Sequence, residues 1–577
     1  MTAWARDTTA EHSFVEVGNG AFGTFSFVRD AFYQATTHVS TGAAIVGHLP
    51  IGFDPPELVR TIEHREPTIV DLPTEEFALA SWQPARRRLV LFRDPLGARA
   101  LYYVHEPGEW VAFASMPEPL LRVPGTTDHI DEGSLPALLL LGVQPLPSAT
   151  LFERLRRVPA ANRVAFEPAG AQCERFWMLS GPPRRRPDPD VPHQLRELLE
   201  SSVRRRVQGV DHVGAQLSGG LDSAVTTALA DQLRSPPTKL SVFNVRPHNE
   251  QGDLLDPGEA EAADALIAGL RDASVHVLPH HKTSKPFFLA EQRYLDRPLP
   301  DLVFLLGAQD RTIPIAAEVG CQTLLTGWGG DEMASFRATA DYVLAMLRER
   351  RWALAADNLR HEGALPASVR RLILRPMRNQ LRGKPSFDAA ERELLLAPFR
   401  GRALEGAIAA ELEAGVRQEP LRKRRRSRIV DPSFHVVMEV LDWLGQKHGL
   451  CIQHPLLDRS VLEFCDRMPI EWIAIRGETR RAFREAVDDV LPEPAKRRVK
   501  SLLTAGASSR QLRDRLEASI RGALQALARS DSWLHEYVDV ARLERDFALL
   551  GPTDGSVVAV HASQIAASSL VVARAKP

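Results

Sequence analysis

The stretch Gln216-Leu-Ser-Gly-Gly-Leu-Asp-Ser223 decides the fold of the second half of this chain. It follows the strand-like run Val213–Leu217 and precedes the helix-like run Ala224–Leu233. Two adjacent glycines permit a tight backbone turn close to an anion, and the start of the following helix offers its N–H groups to the same anion. The pattern therefore predicts a phosphate-binding loop between a strand and a helix.

Asp222 lies beside the predicted phosphate site. A carboxylate repels a phosphate unless a cation lies between them, so Asp222 predicts Mg²⁺. Ser218 and Ser223 add hydroxyl donors to the loop. The alternative is an ordinary strand-to-helix turn in which Asp or Ser caps the helix. The chain has no Gly-x-x-x-x-Gly-Lys-Ser/Thr sequence, which argues against P-loop chemistry.

Strand-like and helix-like runs alternate around this loop. In chain order they are a strand at Val213–Leu217, a helix at Ala224–Leu233, a strand at Leu240–Val245, a helix at Glu259–Leu270, a strand at Val275–Leu278, the end of a helix at Ala316–Val319 and a strand at Gln322–Thr326. This alternation predicts right-handed βαβ units and a parallel sheet. From about residue 340 onward the pattern becomes mostly helical.

A second motif, Leu324-Leu-Thr-Gly-Trp-Gly-Gly-Asp-Glu332, also follows a strand-like run. Open parallel sheets bind ligands at the carboxyl ends of their strands, so we expect Asp222 and Asp331 to lie at the same edge. Two carboxylates there suit one Mg²⁺ that also contacts phosphate oxygens. The alternative for Asp331 and Glu332 is an acidic pair at a helix N-terminus.

The segment Ser180–Pro192 contains five prolines in thirteen residues, a composition typical of a linker. We therefore expect a first domain at 1–180, a linker at 181–192 and a second domain at 193–577. The first domain is predicted to be mainly β, with strands at Phe77–Trp82, Arg88–Phe92, Ala100–Val104, Trp110–Ala114 and Asn162–Phe166.

Composition excludes several classes of protein. The formal net charge of −1 gives no global field for nucleic acid or an anionic membrane. Four cysteines in 577 residues do not form a disulfide framework, and no apolar run is long enough to span a bilayer. The amino terminus also lacks a signal-peptide pattern. We expect a cytoplasmic protein with no nucleic-acid or membrane partner.

The first motif resembles the pyrophosphate loop of the N-type ATP pyrophosphatases, which split ATP between its α and β phosphates. The second resembles the Ser-Gly-x-Gly-Ala-Asp-Glu segment of asparagine synthetases and β-lactam synthetases, with Trp328 in place of a Glu and Gly330 in place of Ala. The resemblance implies an α/β fold: an N-terminal glutaminase-like (Ntn-type) α/β sandwich, and a C-terminal N-type ATP pyrophosphatase (adenine nucleotide alpha hydrolase-like) parallel-sheet domain with a helical extension.

The resemblance also assigns site residues. It implies that ATP and Mg²⁺ are the cofactors and that Asp222 and Asp331 bind the metal. The positions it implies for nucleotide binding are Leu217, Ser218, Gly219, Gly220, Asp222, Ser223, Val245, Thr326 and Gly327.

A third stretch resembles the same family. Gly477–Ala486 and Leu491–Lys500 match its order of a Lys or Arg, Leu-Arg-x-Ala, Leu-Pro and Arg-x-Lys. In the relatives the final lysine stabilises charge as the amide forms, which places a catalytic role on Lys500; a basic surface turn is the alternative. The block His454–Arg459 resembles the family's Arg-x-Pro-Phe-Leu-Asp block, but Cys451 stands where relatives usually have a Glu. Whether a base acts on the amine is therefore open.

The stretch Arg93–Tyr103 resembles the Arg-Asp-x-x-Gly-x-x-Pro-Leu-Tyr signature of the family's glutaminase domain. Such glutaminases use an N-terminal Cys as nucleophile and its α-amine as base. Here residue 2 is Thr, and no Cys occurs before Cys173. We therefore expect a glutaminase-like domain without its catalytic Cys, and an amine that comes from the substrate.

Among relatives of this kind the chain looks most like lasso peptide macrolactam synthetases. The resemblance implies adenylation of an Asp or Glu side chain of a leader-free core peptide, attack by the peptide's N-terminal amine, and release of AMP. Implied partners are the lasso precursor or core peptide, a leader peptidase and a leader-recognition protein. Open alternatives are a β-lactam synthetase-like enzyme, an ammonia-dependent asparagine synthetase-like enzyme, and a non-catalytic scaffold. The basic run Arg422–Arg426 is either a solvated face or a contact for a partner or an acidic substrate.

Overall fold

The computed structural model describes only part of the chain. The described residues are 12–17, 20–25, 34–35, 38–40, 43–49, 72–83, 86–127, 129–135, 138–139, 146–181, 188–248, 254, 256–281, 299, 309–336, 342–361, 399–400, 421–497, 524–525 and 527–550. The protein is mixed α/β, with antiparallel sheets before the predicted linker and a parallel sheet after it.

Twelve strands and one short helix precede the linker within the described residues. The strands β1 to β12 are, in order, His12–Val17, Gly20–Phe25, Gln34–Ala35, His38–Ser40, Ala43–Leu49, Ala78–Gln83, Arg88–Arg93, Tyr102–Glu106, Trp110–Ala114, Arg156–Arg157, Asn162–Glu167 and Gly170–Arg175, and helix α1 is Glu118–Leu121. The largest sheet has the order β12-β11-β7-β6-β5-β3, with β4 also paired to β5. The five strands predicted in this half are present, each within two residues of its predicted bounds.

The parallel sheet contains five strands in the order β15-β14-β13-β16-β17. The strands β13 to β17 are His212–Leu217, Lys239–His248, Ala273–His281, Thr323–Leu325 and Cys451–Gln453, and a small hairpin joins β18 and β19, at Ala474–Ile475 and Glu478–Thr479. The prediction of a parallel sheet is confirmed. Because β13 and β16 are neighbours, the loops that follow them meet at one edge of the sheet.

Helices surround this sheet and dominate the described residues beyond it. The helices α2 to α14 are Val191–Val207, Leu221–Leu233, Pro257–Ile267, Gln309–Glu318, Tyr342–Arg348, Trp352–His361, Leu421–Val430, Pro432–His448, Arg459–Arg467, Ile470–Ile473, Arg481–Ala486, Glu493–Arg497 and Val540–Leu550. Helix α2 begins at Val191, one residue before the predicted end of the linker, with Pro192 in its first turn. Within the described part of the chain, no helix combines the length and apolarity needed to cross a membrane.

Helix α9 joins the two halves of the molecule. Asp431 caps its first turn by accepting a hydrogen bond from the backbone N–H of Ser433, and Gly449, with φ of +65°, ends it in the left-handed conformation. Its Glu439 is fully buried and accepts hydrogen bonds from Arg157 and Tyr102 of the first half. These contacts fix the first half against the helix that leads into β17.

A second buried ion pair lies one turn further along α9. Arg99 pairs with Asp442 at 2.5 Å and donates a hydrogen bond of 2.8 Å to the carbonyl oxygen of Ile452 on β17. The largest hydrophobic core contains residues from both halves, from Leu96 to Leu543. The two halves therefore share one core, and side chains of the first half reach a strand of the parallel sheet.

Candidate active site

The loop after β13 has a shape that only glycine permits at position 219. Gly219 has a φ of +87°, and a Cβ there would lie 2.0 Å from the carbonyl oxygen of Glu259 on α4. The Oγ of Ser223 donates to the carbonyl of Gly220 at 3.1 Å and accepts from the N–H of Ser218 at 3.1 Å. The loop is thus held tightly between the sheet and the first turns of α3 and α4.

The two loop serines differ from the sequence-based expectation. The Oγ atoms of Ser218 and Ser223 lie 3.0 Å apart, and that of Ser218 also accepts the N–H of Gly220. Both hydroxyls therefore stabilise the loop itself instead of pointing outward as ligands. The donors that an anion would meet are the backbone N–H groups in the first turn of α3, which have no partner within the helix.

Asp222 lies on this first turn and its side chain is 16% exposed. The hydroxyl of Ser335 donates to its Oδ1. Burial raises the pKa of Asp222 to about 6; the positive charge of Arg480 opposes this change and the negative charge of Asp331 adds to it. An additional cation beside Asp222 would favour its ionised form.

The second loop follows β16 and forms one π-helical turn, Gly330–Ala334. The close packing of the two loops requires glycines: a Cβ at Gly327 would lie 2.8 Å from the backbone nitrogen of Ser223, and one at Gly330 would lie 2.1 Å from the Cγ of Asp222. The Gly330 position, where relatives have Ala, therefore has no room for a methyl group in this arrangement.

Asp331 and Glu332 occupy different roles in this turn. Glu332 folds back and accepts the N–H of Gly329 at 2.9 Å, and burial raises its pKa. Asp331 accepts a hydrogen bond from Arg480. Within the part of the chain that the structure describes, Asp331 and Asp222 share the partner Arg480, whereas Glu332 bonds to the backbone of its own turn.

Arg480 brings the two aspartates together. Its guanidinium donates to Oδ1 of Asp331, and its Nη1 lies 3.7 Å from Oδ2 of Asp222. Arg480 precedes α12 and has a φ of +64°, a backbone conformation that is uncommon for a residue with a side chain. A strained residue whose buried cation joins two carboxylates is a feature often found at functional sites.

The pair Asp222 and Asp331 fits a Mg²⁺ ion. Among the residues that the structure describes, no three His, Cys, Asp or Glu side chains converge as a complete metal cage. Magnesium, however, is usually held by one or two carboxylates together with substrate phosphates and water. Burial raises the pKa of Asp222, and repulsion by the Asp331 carboxylate adds to this increase while Arg480 opposes it. A divalent ion would relieve that repulsion.

The remaining nucleotide positions lie around the same edge. The sheet register pairs Leu217 with Asn244, so Val245 lies beside the start of the first loop. The hydroxyl of Thr326 lies 2.7 Å from Nδ1 of His454 and accepts the N–H of Trp328 at 3.3 Å. The fold therefore gathers the proposed nucleotide-binding residues, although Thr326 uses its hydroxyl within the protein.

A family model supports this arrangement. The model named Asparagine synthase matches residues 194–551, more than half of the chain. The chain belongs to the asparagine synthase family. A second model, Glutamine amidotransferase domain, matches residues 58–177 of the first half.

Individual relatives are distant. The chain is 29% identical over 154 residues to asparagine synthetase [glutamine-hydrolyzing] 3 of Bacillus subtilis, covering 27% of this chain and 25% of that one. A Mycobacterium tuberculosis protein provisionally named a glutamine-hydrolysing asparagine synthetase is 25% identical over 448 residues, covering 72% and 64%. Asparagine synthetase [glutamine-hydrolyzing] 1 of Bacillus subtilis is 21% identical over 475 residues, covering 80% and 72%. The chain thus spans from a quarter to just under two thirds of the first two relatives.

Two positions depart from the asparagine synthase pattern. Trp328 is on the second loop, and Cys451 is on the neighbouring strand β17. Trp328 packs edge-on against Phe434, with ring centroids 6.3 Å apart. Cys451 is buried on β17, and its sulfur accepts a hydrogen bond of 3.3 Å from Nη2 of Arg99. An aromatic ring and a thiol therefore stand where relatives have carboxylates.

Lys500, the predicted catalytic residue, lies outside the described residues, which end in this region at Arg497. Its role stays a prediction. Arg480 and His454 were not predicted to have a role, although both lie in stretches that resemble the family. His454 is 1% exposed, and burial lowers its pKa to about 4, so its ring is neutral at pH 7. Neither residue carries a sequence signal that shows which side chain turns toward the loops.

Proposed function

We propose that this chain forms a macrolactam within a lasso peptide. It would adenylate an Asp or Glu side chain of the leader-free core peptide, and the peptide's own N-terminal amine would then displace AMP. The observation that carries the proposal is the joining of Asp222 and Asp331 by one buried guanidinium, beside a glycine loop at a helix N-terminus. This set of groups suits ATP-dependent activation of a carboxylate.

The chemistry of the first step explains the arrangement. An oxygen of the substrate carboxylate attacks the α-phosphorus of ATP, the α–β phosphoanhydride bond breaks, and pyrophosphate leaves. Negative charge moves onto the departing pyrophosphate, where first-turn N–H groups of α3 and the Arg480 guanidinium offset it. A Mg²⁺ ion held by Asp222 and Asp331 would neutralise part of the phosphate charge.

In the second step the amine nitrogen attacks the acyl carbon, the bond to AMP breaks, and one proton leaves the nitrogen. An α-amino group has a pKa of about 7.7–8.0 and is partly neutral at neutral pH, so a dedicated base is not required. This agrees with Cys451 at the position of the family Glu. We assign to Lys500 the electrostatic stabilisation of the carbonyl oxygen during this attack.

The source of the amine follows from the first half. The first cysteine of the sequence is Cys173, on the outer strand β12. Its sulfur lies 3.7 Å from Oδ1 of Asn162, and burial raises the pKa of the thiol. A nucleophilic thiol needs a lowered pKa. Because residue 2 is Thr and no Cys precedes Cys173 in the sequence, we propose that the substrate brings its own amine.

The acyl pocket favours a peptide over free aspartate. Trp328 replaces a carboxylate of the asparagine synthetases with a large aromatic surface on the second loop. Such a ring packs well against the apolar side chains of a peptide, and offers no charge to an amino acid's ammonium group. With this substrate, the partners we propose are the lasso core peptide, the peptidase that removes its leader and a protein that recognises the leader. We place the reaction in the cytoplasm, where ATP is available.

The test is a substrate panel with purified protein, ATP and Mg²⁺. The panel contains leader-free peptides with Asp or Glu at position seven to nine, free aspartate with ammonia, and a β-amino acid. Loss of one water from a peptide, with formation of AMP and pyrophosphate, would establish the macrolactam synthetase. The matched control is Asp222→Asn, which keeps the shape of the side chain and should abolish pyrophosphate release.

The other outcomes select the alternatives. Turnover of aspartate with ammonia alone would establish an ammonia-dependent asparagine synthetase, in line with the names of the curated relatives. Turnover of the β-amino acid alone would indicate a β-lactam synthetase-like enzyme. If no acid releases pyrophosphate, even with the proposed partner proteins added, the chain is a scaffold.

A further inference from the structure

The basic helix α8, Leu421–Val430, packs against the outer side of the second loop. Six of its ten residues are Arg or Lys and none is acidic. Leu421, Arg425 and Ile429 are buried, one helical turn apart from each other. The helix is therefore held in place by one buried stripe that includes a charged residue.

Two of the six cations form ion pairs with carboxylates of neighbouring described segments. Arg422 pairs with Glu349, and Arg426 binds Asp466 through hydrogen bonds of 2.7 and 2.8 Å. These pairs have a structural role. Arg425 and Arg428 instead donate hydrogen bonds to backbone carbonyls of the second loop.

Arg425 is a buried cation without a carboxylate at ion-pair distance among the described residues. It donates to the carbonyl oxygens of Met333 at 3.1 Å and Cys465 at 3.2 Å, and its Nε has no hydrogen-bond partner there. Burial lowers its pKa to about 10, and the positive charges of Arg422 and Arg426 contribute to this decrease. A buried guanidinium bound only by carbonyls raises the positive potential around it.

The ring of Phe336, which is 3% exposed, lies close to three of these cations. The guanidinium carbons of Arg424, Arg425 and Arg428 lie 6.0, 5.3 and 5.2 Å from the centre of its ring. The ring attracts each of them and so holds the buried Arg425 and the exposed Arg428 close together. An anion that binds Arg428 would also be attracted by Arg425.

Arg428 connects the cluster with the active site. Its side chain is exposed, and its Nη1 donates a 3.0 Å hydrogen bond to the carbonyl oxygen of Asp331. Within the described part of the chain it makes no ion pair. The side chains of Asp331 and Arg480 meet on the inner side of the same turn. Arg428 is thus an exposed cation at the edge of the loop where the acyl-adenylate would form.

We infer that Arg428, beside the buried guanidinium of Arg425, binds a carboxylate of the acyl substrate other than the one that is activated. This inference rests on the proposed function. Adenylation removes the charge of the activated carboxylate, whereas a second carboxylate keeps its charge and can stay bound throughout the reaction. A guanidinium donates two parallel N–H groups to a carboxylate, which suits this task. The proposed function assigns the phosphates of ATP to other groups, the first-turn N–H groups of α3 and Arg480.

The test compares two fluorescent peptides in equilibrium binding without ATP. Both have one Asp at position eight; the first keeps every other carboxylate, and in the second each of these is an amide. We expect the full chain to bind the acid peptide roughly tenfold more tightly than the amide peptide. Arg428→Gln should bring this ratio close to one. The matched control Lys423→Gln removes the same charge from an exposed position of the same helix and should preserve the ratio.

One further variant and one kinetic measurement sharpen the result. Arg428→Lys keeps the charge without the planar fork and should give an intermediate ratio. A ratio near one in the unmodified chain, or an equal loss in Lys423→Gln, would overturn the inference. So would a rise in the KM for ATP in Arg428→Gln at an unchanged acid-to-amide ratio, because Arg428 would then bind the triphosphate. Because binding is measured without ATP, it tests the inference independently of the proposed reaction. Failure of the proposed reaction would be seen in a different assay, as the absence of pyrophosphate release with either peptide.

Discussion

The ionisation of Asp222 should be visible in the stability of the ligand-free protein. Burial raises its pKa from an ordinary 3.8 to about 6. A carboxyl group with a raised pKa stabilises the folded state below pH 4, where it is protonated in both states. That stability is lost as the pH rises through 6, because the folded protein must then hold a charge that the unfolded chain holds in water.

The size of the effect follows from the two pKa values. A difference of about two pKa units corresponds to about 3 kcal/mol in the free energy of unfolding at neutral pH. About half of this is already lost at pH 5, which leaves about 1.4 kcal/mol to be lost between pH 5 and pH 8. Asp222→Asn has no titrating group at this position. Between pH 5 and pH 8, the free energy of unfolding of Asp222→Asn relative to that of the unmodified chain should therefore rise by about 1.4 kcal/mol.

The assay is urea denaturation followed by tryptophan fluorescence, at pH 5 and pH 8, for both proteins. Taking the difference between them cancels the titration of all other groups. Adding Mg²⁺ should stabilise the unmodified chain more at pH 8 than at pH 5. It should not stabilise Asp222→Asn at either pH. A difference between the proteins that does not change with pH would refute the reasoning, as would a relative gain in stability of the unmodified chain at pH 8.

Three further substitutions probe other parts of the structure. Gly330→Ala would place a Cβ 2.1 Å from the Cγ of Asp222, so we expect at least a hundredfold loss of pyrophosphate release at a cost of about 1–3 kcal/mol in stability, measured by kinetics and urea denaturation. Lys500→Met should lower amide formation by about 10²- to 10³-fold while leaving ATP–pyrophosphate exchange active, and equal losses in both would contradict its assignment to the second step. Glu439→Gln removes the negative charge that the buried guanidiniums of Arg93 and Arg157 share, so it should lower the free energy of unfolding by about 3–5 kcal/mol, and an unchanged urea midpoint would disprove a structural role for these ion pairs.

The parallel sheet was predictable because its signals are local. Each strand-like run is short, apolar and separated by a helix-like run, and this spacing permits few topologies. The glycine loop was predictable for the same reason, since Gly219 and Gly220 stand between a strand and a helix. The strands β1 to β5 and β12 were not predicted, because their residues mix polar and apolar types without clear alternation.

The sequence by itself determined the class of fold, the two loops and the pair Asp222 and Asp331, because strand order in a parallel sheet brings such loops to one edge. Only the tertiary structure decided which cation lies between the aspartates. Arg480 stands about 150 residues from Asp331 in the chain, beside an equally basic Arg481, and its orientation depends on a left-handed backbone conformation before α12. Tertiary packing likewise turned the serine hydroxyls inward and set the basic helix α8 against Phe336, since contacts between distant segments have no local signature in sequence.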